Sequence, residues 1–183
     1  MNAAEKKVAQ YLREAHAGEQ ALIGELRAQL EMTPRGSYRT ALEEHLSQTR
    51  DHAARVGERL RELGDARSPL AFVVDTVGAV AGQALALGRA PLELLLGSGG
   101  EDQVLRNARV AYAAEALEIA TYTAIERLAG AVGDGETATL AASIRADEER
   151  MLERLLREIP KLTDAVVRAE ARADPSFDVQ STI

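Results

Sequence analysis

The sequence has no cysteine and no tryptophan, and only two phenylalanines. Without cysteine, disulfides and thiolate-bound metals are excluded. With aromatics at 3% of residues, a core has to be assembled from Leu, Ile, Val and Ala. That supply suits helices packed closely on small side chains. Basic residues are also short, 22 Lys and Arg against 29 Asp and Glu, for a net charge of −7. A broad phosphate-binding face is therefore not expected, and nucleic acid is not an expected partner. Met1 to Gln10 is polar and lacks the apolar run of a secretory signal, so a cytoplasmic location is expected. No glycine-rich phosphate loop, Walker motif or Ser–His–Asp set is present.

What is present is helical periodicity in an all-α pattern. One segment runs from about Glu5 to Leu30, with the stripe Val8, Leu12, Ala15, Glu19, Leu22, Leu26. Thr33-Pro34-Arg35-Gly36 breaks it. A second runs from about Ser37 to Leu63 through Tyr38, Leu42, His45, Gln48/Thr49, His52, Val56 and Leu60, with Gly64 as its C-terminal cap. A third runs from about Asp102 to Val132 through Val104, Ala108, Ala111, Glu115, Glu118, Tyr122 and Ile125. After Gly133-Asp134-Gly135 a fourth runs from about Glu136 to Ile159 through Ile144, Glu148, Met151 and Leu155. Pro160 is expected to end or kink it, with a weaker helix beyond.

The connection between the second and third segments, about 65–101, is too long for a structureless loop. Its apolar stretch Leu70 to Leu87 reads as a crossover helix. Short turn, long crossover, short turn is the one-crossover plan of a ferritin-like four-helix bundle, not the simple up-down plan. The bundle is expected over residues 1–170, with 171–183 as a mobile tail.

Each stripe is interrupted near its middle by a polar residue: Glu19, then His45, Gln48 and His52, then Glu115 and Glu118, then Glu148. A lone buried carboxylate costs several kcal/mol unless paired, protonated or metal-bound. Four helices with the same anomaly call for one cause. Glu19 and Gln48 each lie about 14 residues from their shared turn, ~21 Å at the helical rise, and Glu118 and Glu148 lie about 15 from theirs. His52 and Glu115 sit about one turn further on. Converging carboxylates with imidazole are what a carboxylate-bridged metal pair requires, and iron, manganese or zinc suits such donors. The same residues could instead form a metal-free polar core with Gln48 and Tyr122, and both readings stay open. Tyr122, one turn from Glu118, is placed to hydrogen-bond the cluster. His16 reads as solvated, and Asp147, Glu149 and Arg150 as an exposed charged face.

The stretches Tyr11 to Gln20, Glu44 to Thr49, Glu115 to Tyr122 and Asp147 to Arg150 resemble the YciE/YciF-type family of ferritin-like proteins, itself similar to rubrerythrins and bacterioferritins. The resemblance covers all four bundle helices. It implies a di-iron site on Glu19, His45, Glu115, Glu118 and Glu148, and an association with stress responses. The chain departs from the family pattern at Gln48, where a glutamate is usual, and at Ala116, often histidine. In ferritin-like di-iron enzymes the position of Met151 usually carries histidine. His52, one turn from Gln48, is placed to compensate.

The expected ligands are thus Glu19, Glu118 and Glu148 first, and Glu115, His45 and His52 next, holding iron for oxygen- or peroxide-linked chemistry. The alternative is a non-enzymatic stress or scaffold protein. It would bind a partner, a membrane surface or a hydrophobic ligand through Leu70 to Leu87. A homodimer is expected in either case.

Overall fold

The structure, a computed structural model, describes residues 3–64 and 100–173. The expected crossover helix Leu70 to Leu87 and the tail from Asp174 on lie outside the described residues; residues 171–173, expected in the tail, continue the last helix. Four helices carry the fold: α1 (Ala3–Met32), α2 (Ser37–Glu62), α3 (Glu101–Ala131) and α4 (Gly135–Ala173). No strand occurs among the described residues. No described helix is long and apolar enough to cross a membrane.

Local chemistry sets the ends. Thr33 folds its hydroxyl back onto the Gln29 carbonyl (2.7 Å), and Pro34 follows. Gly64 adopts φ +73 beyond α2, a left-handed conformation that costs glycine little. Asp134 caps α4: its Oδ1 accepts from the Thr137 amide at 3.0 Å and its Oδ2 from the Thr137 hydroxyl at 2.6 Å. Arg59 bonds the same Asp134 (2.7 Å) and Thr137 (2.8 Å), tying the end of α2 to the α3–α4 turn.

α4 runs 39 residues through Pro160, so the proline does not end it. Pro160 is exposed. Its ring and the Leu156 carbonyl it deprives of a partner therefore fall on the solvent side, where water replaces the lost bond. Ile159 and Leu162, on either side of it, pack against the core and hold the continuation in place.

The core is two apolar clusters. The first joins Leu22, Ile23 and Leu26 with Tyr38, Leu42 and Leu46, and with Ala108, Ala111, Met151 and Leu155. The second joins Val8, Leu12 and Ala15 with Val56 and Leu60, and with Tyr122, Ile125, Ala141 and Ile144. This sorting gives the topology. α2 and α3 both run from the first cluster to the second, while α1 and α4 run the other way. The two short turns therefore lie at opposite ends of the bundle. The end of α2 and the start of α3 therefore lie at opposite ends of the bundle, about 39 Å apart along a helix of 26 residues. That is the one-crossover layout of a ferritin-like bundle. Between the two apolar clusters lies the polar layer.

Candidate metal centre

All four helices contribute to this layer. Glu19 of α1 is fully buried between Ala15 and Leu22, and Glu148 of α4 between Ile144 and Met151. α2 supplies His45 and His52, seven residues and therefore about two turns apart on one face, each 1% exposed. α3 supplies Glu115, fully buried, and Glu118, half-buried with its Oε2 enclosed.

The six residues form two groups. His45, Glu115, Glu118 and Glu148 can each offer one ligand atom, all lying within 4.8 Å of one another; Glu19, His52 and Glu148 do the same. Glu148 is common to both. On the side of the first apolar cluster, His45 Nε2 lies 2.8 Å from Glu115 Oε1. On the other side, His52 Nδ1 lies 2.9 Å from Glu148 Oε1 and 3.7 Å from Glu19 Oε1. Sequence counting put His52 and Glu115 at one height. The structure separates them, because each is a turn further from its own hairpin turn and those turns face opposite ends.

The layer is short of hydrogen bonds. Nine of its buried side-chain atoms have no hydrogen-bond partner: Glu19 Oε2, both nitrogens of His45, His52 Nδ1, both oxygens of Glu115, Glu118 Oε2 and both oxygens of Glu148. The close approaches lack the alignment of hydrogen bonds. Buried polar atoms are otherwise almost always satisfied, and each exception costs about 1–3 kcal/mol. A set of N and O atoms left bare and converging is the donor set that hard or borderline cations take.

The electrostatics express the same shortage. Burial pushes the Glu19 carboxyl up to about 7, against the Tyr122 hydrogen bond and the His52 charge, which pull it down. Glu115 and Glu118 are driven well above the usual range, by burial first and then by neighbouring carboxylates. Burial also raises Glu148, but His52, Glu115 and His45 outweigh it and leave that carboxyl lowered. Burial lowers His45 to about 4, so its imidazole is neutral at pH 7. His52 is opposed by burial, yet the carboxylates of Glu148, Glu19 and Asp147 raise it.

Two supporting residues differ from the sequence reading. Tyr122 is buried and donates to Glu19 Oε1 at 2.6 Å, across the bundle and not to Glu118 on its own helix. Asp147 is not part of an exposed face: its Oδ2 lies 3.3 Å from His52 Nε2, and its Oδ1 is held by Arg150. Its signal in the sequence was its place at the border of the α4 stripe, beside Glu148. Gln48 is half-buried; Thr49 is the buried neighbour, its hydroxyl bonded to the His45 carbonyl at 3.0 Å. Met151 is buried apolar core. His16 is half-buried, not solvated: a Cβ on Gly57 would stand 3.2 Å from its Nε2, and burial lowers its pKa.

Comparison with known proteins places this geometry among relatives. A family model described as a domain of unknown function, DUF892, matches residues 4–168. The crystal structure of a protein from Xanthomonas campestris pv. campestris superposes with a TM-score of 0.71 at 21% identity, covering 91% of this chain and 97% of that one. The E. coli stress protein YciF gives 0.68 at 18% identity, covering 90% and 99%. A ferritin-like, diiron-carboxylate protein from Bacillus anthracis gives 0.59 at 20% identity, covering 87% and 99%. No curated protein matches. Identities this low establish the fold and nothing finer.

Proposed function

Because the chain belongs to the DUF892 family and shares the ferritin-like fold of YciF, we propose that it is a di-iron carboxylate protein of stress-response type, with oxygen- or peroxide-linked iron chemistry at mid-bundle. The observation that carries this reading is the set of nine bare, buried N and O atoms from four helices. A metal-free polar core would have to pair these atoms with one another, using the protons on the raised carboxyls.

The charges also fit. Glu19, Glu115, Glu118 and Glu148 together carry −4 when ionised, which balances two divalent cations, while neutral imidazoles add donor atoms without charge. The similar protein from Bacillus anthracis is a ferritin-like, diiron-carboxylate protein, which supports iron as the metal. Bound iron would supply the redox chemistry.

The chain's own residues do the rest. Glu148 would help hold both ions, since it belongs to both groups. Asp147 faces Nε2 of His52 and so turns Nδ1 into the layer. Tyr122 engages one oxygen of Glu19 and leaves the other bare. The apolar clusters above and below exclude water. The raised carboxyls of Glu19, Glu115 and Glu118 and the raised His52 hold protons that they would give up on binding a cation.

The test is anaerobic loading with ferrous iron, followed by metal analysis and oxygen uptake. The expected result is about two irons per chain, lost in the Glu118→Ala/Glu148→Ala double variant. A wild-type protein that binds no iron, or a double variant that binds as much, would refute the reading.

A further inference from the structure

We infer that the two metal positions are unequal. The first cation goes to His45, Glu115, Glu118 and Glu148, and the position at Glu19, His52 and Glu148 holds a second one more weakly. This rests on the metal-binding reading above and concerns how that site fills.

The asymmetry is built from this chain's own departures. Both imidazoles come from α2, because the fourth helix carries Met151, a buried core residue, one turn beyond Glu148. α2 contributes no carboxylate to either group, and Gln48 is a neutral amide. The donors therefore divide unevenly: the His45 group holds three carboxylates and the His52 group two, with Glu148 counted in each. A divalent cation is held more tightly where more protein donors replace its water, so the four-donor group fills first. Its arrival then neutralises part of the charge on Glu148, so the second cation meets a weaker attraction and a nearby positive charge.

The weaker side has one further deficit. Glu19 already accepts from Tyr122 through Oε1, leaving its Oε2 as the bare oxygen. The second position is thus filled by fewer protein donors. It is the exchangeable half of the pair, with more of the cation's coordination places left unfilled by protein.

The experiment is an anaerobic titration of metal-free protein with cobalt(II), read by calorimetry and visible absorbance. Two steps are expected, with Kd values about tenfold or more apart. His52→Ala and Glu19→Gln should each remove the weaker step and leave the tighter Kd within about threefold. His45→Ala should remove the tighter step. Glu19→Gln removes a buried charge and so keeps the fold intact; circular dichroism checks all three variants. A single isotherm for two equal positions, or loss of the tighter step in Glu19→Gln, would overturn the inference while leaving the metal reading standing. No binding by the wild type would remove both.

Discussion

Glu19→Gln separates a layer built for metal from one built for stability, because the two make opposite predictions for the metal-free protein. Glu19 is fully buried, and its carboxyl is raised from 4.5 to about 7. At about 1.4 kcal/mol per pH unit, ionising it inside the bundle costs about 3 kcal/mol. The sign follows from proton uptake. Near pH 4.5 and below, folded and unfolded states both hold the proton and nothing is lost. As pH rises to 7 the unfolded chain releases it first, and the folded state loses stability; above pH 7 the loss is complete. Glutamine keeps an oxygen for the Tyr122 hydroxyl and never ionises. Its amide adds donors that must find partners, which offsets about 1 kcal/mol or more of the gain. Metal-free Glu19→Gln should therefore be more stable than wild type by about 1–3 kcal/mol at pH 8 and by under about 1 kcal/mol at pH 5. Urea unfolding at both pH values measures this. A variant less stable than wild type at pH 8 would show that the carboxylate stabilises the fold through Tyr122 and His52, and the reasoning from unsatisfied charge would fail.

Other perturbations follow from the same geometry. Saturating metal at about 100 times its Kd should stabilise the wild type by about 2.7 kcal/mol, read as a rise in Tm that Glu148→Ala abolishes. Metal affinity should fall on acidification below pH 7, where Glu19 takes up its proton, by about tenfold per pH unit for each proton displaced; calorimetry in two buffers would count those protons. Affinity independent of pH from 7.5 to 5.5 would contradict the assignment. Asp147→Ala should weaken metal binding about tenfold with little change in fold, since it removes the group facing His52 Nε2. Arg59→Ala should cost about 2 kcal/mol at any metal concentration, because it unties α2 from the partly buried Asp134 and Thr137 at the α3–α4 turn. An effect confined to the metal-loaded form would refute that structural role.

The sequence by itself determined the four helices and their turns. A 3.6-residue stripe has one solution in backbone geometry, and Pro34, Gly64 and Gly133-Asp134 leave few places to turn. It also determined which residues break the stripes, because burying Glu19, Glu115 or Glu148 is costly enough to be visible in one dimension. Tertiary structure decided what those residues meet. Counting from a turn gives height along one hairpin, but the register of one hairpin against the other is set only where their apolar clusters pack. For that reason His52 and Glu115 fall on opposite sides of the layer. Asp147 and Tyr122 are matched with His52 and Glu19 across the bundle, contacts that no spacing within a helix encodes. Pro160 reads as a breaker because a proline forfeits a hydrogen bond; whether water replaces that bond depends on which face it occupies, and only the packed bundle sets that face.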